Sequence, residues 1–395
     1  MTTPGNRLQS IDTLRGTAAL AVMVYHSLIY SERMPLNVKW FAVMHAVLGY
    51  GYLGVPLFFV ISGFCIHLSW SKTYARTGKP AFDFKAFWKR RIRRLYPPYF
   101  VVLVISMSLV VAAFALHKNV PLVNLYPDPK LKWMGLDFIA HVFMVHGLIP
   151  LFDKAGGNPP FWTLAREEYY YLLYFVLLLW RKKSPSWVIG SGVFLLGIIL
   201  HQTILWFVPN ESQRFWLAES TTFSLWIQWV LGMLAAEAYC GLFRMPLCFR
   251  NVWFCPIWAA IAILSDSHFA LLSDFLWGIT FFTLLNGLVA REQTGNWTRG
   301  KIGAWLAGVG VFSYSLYLIH NPARAVTKQL LGRLAETDNA WLYLLNMIII
   351  SVVGYWSGKI LFRLVESHFL NKQTRHDQPE PVKTESIVVM GASGT

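Results

Sequence analysis

Ten predominantly apolar stretches, each of about 17 to 25 residues and so long enough to cross a bilayer as a helix, recur along this 395-residue chain. They lie near 12–31, 48–70, 95–116, 162–181, 187–208, 220–240, 252–267, 270–290, 303–320 and 341–363. With 55% hydrophobic residues, 14% charged and a mean hydropathy of +0.44, an ordinary soluble globule is excluded. The fold class expected is all-α, a polytopic integral membrane helix bundle of about ten transmembrane helices. One further apolar segment, 133–152, is short and carries Asp137, His141 and His146, so it reads as re-entrant or interfacial. The 18 Trp and 17 Tyr suit two interfacial belts. The four cysteines form no Cys-x-x-Cys pair and read as free, buried thiols.

The net charge of +15 resembles a nucleic-acid signature until its distribution is read. With the N-terminus inside, 24 of the 35 Lys and Arg fall on the cytoplasmic side, nine of them in 71–94. The positive-inside rule then places both termini in the cytoplasm of a multi-pass protein of the cytoplasmic (inner) membrane. The charge is thus a topology signal, and no nucleic-acid partner is expected. No leader cleavage site follows the polar N-terminal residues, so the first span is expected to be retained. Residues 1–370 form one membrane domain and 371–395 a disordered cytoplasmic tail, rich in Pro, Lys and Glu.

Within the first span, Arg15 and His26 stand eleven residues apart. That spacing returns His26 to within roughly 20° of Arg15's helical face and about 16 Å deeper. Ionisable groups held at that depth are a functional site by default. At the next cytoplasmic loop, Lys89-Arg90-Arg91-Ile92-Arg93-Arg94 runs up to the membrane. Arg91 and Arg94, three apart, share a face if the stretch is helical, and guanidinium groups grip phosphate oxygens in pairs.

Five segments resemble the membrane-bound acyltransferase family 3. They are Asp12-Thr-Leu-Arg15-Gly16 through His26, Gly54 to Phe64, Arg91-x-x-Arg94-x-Tyr96-Pro97, Phe161 to Tyr171, and Phe312-Ser313-Tyr314-Ser315-Leu316-Tyr317-Leu318-Ile319-His320. The likeness runs from about residue 7 to 370. Departures are Pro56 where an acidic residue is common, Thr163 for Ser, and Glu366-Ser-His for Glu-x-Pro. Many members carry a further soluble hydrolase-like domain. The tail here is too short for one, so delivery is expected to finish in the membrane domain or pass to a separate partner.

The resemblance implies acyl transfer from cytoplasmic acyl-coenzyme A, with acetyl-coenzyme A the expected co-substrate, to a carbohydrate or glycolipid hydroxyl. No tightly bound cofactor and no metal are implied. The catalytic set is His26 as base, Arg15 and Glu167; Arg15, Arg91 and Arg94 bind the coenzyme. Tyr171, Ser313, Tyr314, Tyr317 and His320 line the acceptor cavity. Glu167 is placed near the outer end of the fourth span, to orient an acceptor or fix the His26 tautomer, and His320 near the outer interface. Blander readings exist for each residue: Arg15 as a snorkelling anchor, His26 in a helix–helix hydrogen bond, Glu167 and Glu168 as interfacial charges. His141 and His146, five apart and so about 140° apart on a helix, do not read as a metal pair. Other functional readings are a small glycosylated metabolite as acceptor, succinyl-coenzyme A as donor, or a proton-coupled transporter. Whether an acyl-His26 intermediate forms, and the oligomeric state, are not legible.

Overall fold

The computed structural model describes residues 8–79, 82–116, 126–149, 151–153, 156–208, 225–266, 270–295 and 300–370. The tail expected at 371–395 lies outside them. Among the described residues the architecture is all-helical, with no strand. The helices are α1 (Gln9–Leu28), α2 (Lys39–Gly49), α3 (Gly54–Thr77), α4 (Phe84–Ala115), α5 (Lys130–Val142), α6 (Phe161–Arg181) and α7 (Ser186–Phe207). They continue with α8 (Trp226–Tyr239), α9 (Cys255–Asp266), α10 (Ala270–Gln293), α11 (Lys301–Val311), α12 (Ser313–Leu331) and α13 (Ala340–Leu361).

On length and apolarity, five stretches among the described residues qualify as membrane spans: Lys39–Thr77, Phe84–Ala115, Ser186–Phe207, Leu271–Gln293 and Ala340–Leu370. A sixth is added if α11 and α12, bent by 77° at Phe312, count as one. The expected ten is therefore not reached by this criterion, for a physical reason. Helices that face lipid must be apolar all round, whereas one enclosed by other helices need not be. α1, which holds Arg15 and His26, is the enclosed case; α6 keeps an exposed apolar face at Leu172, Phe175 and Val176 but is interrupted by Arg166, Glu167 and Glu168; and α8, buried from Trp226 through Glu237, is too short at 14 residues. Beside them, α9 is short at 12 residues.

Two glycine pairs fix the centre of the bundle. A Cβ on Gly16 would strike the Leu306 carbonyl, and one on Gly310 the Asp12 carbonyl, so α1 and α11 touch backbone to backbone. Gly63 and Gly232 do the same for α3 and α8, against the carbonyls of Trp229 and Val60. Small residues that let helices approach this closely replace the hydrophobic drive that lipid does not supply.

The basic cluster is part of α4, which starts at Phe84 rather than near 95, capped by Asp83 Oδ1 accepting from Ala86 N at 3.0 Å. The segment at 133–152 becomes α5 followed by a single 3-10 turn, His146–Leu148. Because the helix ends at Val142, the 140° argument fails for its two histidines: their rings stack at 3.7 Å, 5° from parallel. His67 is enclosed between Tyr174 and Glu237 at 2.9 Å from each. The four cysteines are free and half-buried rather than fully buried.

Candidate active site

α1 carries the site along its length, and α12 runs beside it in the same direction. Leu316 packs against Ala19 and Met23, and further along His320 meets His26. The 77° bend before Ser313 is what turns this segment onto α1. Pro322, inside α12, removes the N–H that would bond Leu318 O. Asn158 Nδ2 donates to that carbonyl instead, at 2.8 Å, and so ties the start of α6 to the middle of α12.

At one end Arg15, Arg91 and Arg94 converge. Arg91 and Arg94 occupy the half-buried face of the α4 helix, while Lys89, Arg90 and Arg93 are exposed. Arg94 lies within electrostatic reach of Arg15, Arg91 and Glu366, and Cys65 is in reach of the same three arginines. Arg91 packs on the rings of Phe87 and Tyr171, at 5.7 and 5.6 Å from their centroids. Arg15 Nε is buried with no hydrogen-bond partner among the described residues.

Carboxylates are close to this cluster but committed elsewhere. Glu366 accepts from Ser315 Oγ at 2.5 Å and Ser315 N at 3.2 Å, swung inward by the π-helical turn Phe362–Glu366. Glu167 Oε1 accepts from Ser62 Oγ and Tyr171 Oη, each at 2.5 Å, and Trp229 Nε1 in turn donates to Ser62 Oγ at 3.3 Å. Among the described residues none of the three arginines is ion-paired with a carboxylate. Their donors therefore remain available for an anionic ligand.

Toward the middle, Tyr314 Oη donates to Leu95 O at 2.9 Å, next to the Arg93 and Arg94 carbonyls that Pro97 and Pro98 leave without helical donors. Ser313 Oγ donates to Gly310 O at 3.0 Å and caps the bend. Tyr317 Oη pairs with Thr163 Oγ1 at 2.7 Å, and its ring lies 5.8 Å from Phe58 and 5.7 Å from His320.

The other end holds paired imidazoles. His26 Nδ1 lies 2.9 Å from Val22 O and 3.3 Å from His320 Nε2; His320 Nδ1 lies 2.7 Å from Tyr317 O. Carbonyl oxygens only accept, so when both rings are neutral each Nδ1 carries its proton, and His320 Nε2 presents its lone pair to His26. The lone pair of His26 then resides on Nε2, away from His320. His320 is thus a direct neighbour of His26. Glu167, in contrast, sits with Tyr171 under Arg91, at the arginine end, and no bond joins it to His26.

Sequence reading names residues at both ends and overlooks three groups. Glu366 is noticed only as a departure from a motif. Arg324, four residues after His320 and so on its face of α12, could have been found from that spacing. The third is the cluster His67, Glu237 and Arg181, in which Arg181 Nε and Nη2 donate to Glu237 at 2.8 and 3.1 Å. Its members are scattered over three helices, which no single-helix spacing reveals.

The chain matches the family profile described as an acyltransferase domain over residues 8–359. It is 26% identical over 344 residues to the O-acetyltransferase OatA of Staphylococcus aureus (strain NCTC 8325 / PS 47), covering 80% of this chain and 50% of that protein. It is 30% identical over 166 residues to the peptidoglycan O-acetyltransferase OatA of Listeria monocytogenes serovar 1/2a, covering 40% of this chain and 22% of the relative. The chain spans about half the length of the first of these relatives. No solved structure matches it. The profile takes in α1 through most of α13, and with them both ends of the site: the chain belongs to the membrane-bound acyltransferase family 3.

Proposed function

We propose that this protein is a membrane O-acyltransferase, acetyl being the group moved, which esterifies a hydroxyl of a cell-surface or exported carbohydrate or glycolipid. The observation that carries the reading is the pairing along α1 of unpaired arginines at one end with an imidazole base at the other. The donor is cytoplasmic acetyl-coenzyme A. Arg91 and Arg94 take its phosphates, and Arg15 holds the diphosphate or pantetheine, whose thioester reaches along α1 toward His26. Eleven helical residues make that reach about 16 Å, within the span of an extended pantetheine arm.

In the transfer, the acceptor oxygen attacks the thioester carbonyl while His26 Nε2 removes the hydroxyl proton. The tetrahedral intermediate collapses with cleavage of the C–S bond. His26 returns its proton to the departing thiolate, leaving an ester and free coenzyme. His320, accepting from His26 Nδ1–H, keeps the lone pair on Nε2 and steadies the imidazolium that forms. Glu167 orders Ser62 and Tyr171 beside Arg91 and so shapes the donor site. On this reading the ten apolar stretches form the membrane domain, and both termini are cytoplasmic by the distribution of Lys and Arg.

The test is transfer by purified protein from acetyl-coenzyme A carrying a 13C-labelled acetyl group to saccharide acceptors. Free thiol and labelled ester should appear in equal amounts. Thiol release with no ester on any acceptor hydroxyl would count against transfer, and labelled coenzyme left intact beside a transported solute would favour a carrier.

A further inference from the structure

The histidine end has a cation of its own that the transfer chemistry does not use. Arg324 follows His320 by one helical turn on α12 and lies within electrostatic reach of both His26 and His320. It is half-buried. Its Nε donates to Asn321 Oδ1 at 2.9 Å, and its Nη1 makes only a long contact of 3.5 Å with Ile29 O. No carboxylate among the described residues pairs with it, and Tyr343 joins the two histidines as an ionisable neighbour. Glu336, in the loop that follows α12, is taken up by Lys328 at 3.2 Å and Ser31 Oγ at 3.2 Å.

Placing a guanidinium in a half-dry position without a counter-charge costs stability that an anionic partner would restore. The bonds it does make set its direction: Asn321 holds the Nε edge, and Nη2 keeps its donors unused. Tyr343 fixes the neighbouring wall by donating to Leu28 O at 2.7 Å. The fork is therefore pre-oriented beside the base, with its free edge in the geometry that accepts a carboxylate or phosphate in two bonds.

We infer that Arg324 is the acceptor-selecting residue of this site, binding an anionic group on the substrate whose hydroxyl is presented to His26 Nε2. The inference rests on the acyltransferase reading and narrows its acceptor class to carbohydrates bearing a carboxylate or a phosphate near the esterified hydroxyl. Arg324 acts on the acceptor alone, because the arginines proposed to hold the donor are gathered at the opposite end of α1. A saccharide carboxylate and the phosphate of a lipid-linked saccharide share the chemistry Arg324 reads.

The experiment uses the full chain in lipid nanodiscs with acetyl-coenzyme A and three matched acceptors: a neutral disaccharide, the same disaccharide bearing a carboxylate, and the same bearing an anomeric phosphate. The wild type should prefer one charged acceptor over the neutral one by about 10- to 100-fold in kcat/KM, the worth of one charge-assisted contact. Whichever charged acceptor wins identifies the source. Arg324→Gln should bring that ratio close to one, mainly through KM, and Arg324→Lys should restore part of it. Binding of acetyl-coenzyme A reports that each variant is folded. Equal use of all three acceptors by the wild type overturns the inference, as does a Gln variant that keeps the preference. No transfer to any acceptor by a folded wild type is instead a failure of the acyltransferase reading itself.

Discussion

The two ends of α1 solve opposite electrostatic problems with different residues. At the arginine end three cations gather near carboxylates that are nonetheless occupied by Ser315, Ser62 and Tyr171. At the histidine end two imidazoles face each other, each with its Nδ1 turned to a main-chain oxygen. The first arrangement is built to keep charge and wait for an anion. The second turns its donors inward and leaves the Nε2 lone pair of His26 open. On the proposed reading, the eleven-residue separation of Arg15 and His26 divides donor binding from proton transfer.

The sharpest way to break the contrast is His26→Ala, which touches only the neutral end. Loss of the base should lower turnover by about 10²- to 10⁴-fold, with the protein still binding acetyl-coenzyme A, as read by parallel turnover and calorimetry. Next in size is a change at neither end. Glu237→Ala leaves Arg181 and His67 buried without their partner, and removing one member of a buried pair costs about 3–5 kcal/mol. A thermal melt in detergent should show that loss, and intact kcat in the surviving folded fraction would separate general destabilisation from damage to the site.

At the arginine end, Arg91→Gln with Arg94→Gln should raise the Kd for acetyl-coenzyme A by about 10- to 100-fold per lost charged contact. Single-turnover rates at saturating donor, by contrast, should change little. Unaltered affinity in the double variant would remove the phosphate role from these residues. The smallest effect belongs to Glu336, outside the membrane helices, whose carboxyl is held below its ordinary 4.5 chiefly by the hydrogen bond from Lys328. A depressed carboxylate adds stability above that ordinary value, and the increment fades as pH falls through the lower folded value. Since both side chains of the pair are exposed by more than a third, the increment is a few tenths of a kcal/mol. Glu336→Gln should thus shift the melting temperature slightly at neutral pH and not at all in strong acid.

Much of this division was legible before any coordinates. Arg15, His26, Arg91 and Arg94 are found by spacing because each pair lies on a single helix, where sequence distance fixes direction. The reading fails wherever geometry depends on how helices meet. His320 and His26 are 294 residues apart in sequence and touch only because of the bend at Phe312 and the parallel run of α12 along α1. Likewise α6 is tied at its start to α12 through Asn158, and Glu167 lies with Tyr171 beside Arg91, a grouping across helices that sequence spacing does not reveal. Apolar length among the described residues does not reach ten spans because polar groups interrupt α1 and α6 and because α8 and α9 are short.

The central claim is that donor binding and proton transfer occupy opposite ends of α1. It is tested most directly by measuring, on the same preparations, the equilibrium Kd for acetyl-coenzyme A and the single-turnover rate at saturating donor. The preparations are wild type, His26→Ala, and Arg91→Gln with Arg94→Gln. The account predicts a clean crossing, with the histidine variant changed in rate and not in Kd, and the arginine variant changed in Kd and not in rate. If both variants lost affinity and rate in equal proportion, the two ends would be one site, and the division of labour proposed for α1 would be wrong.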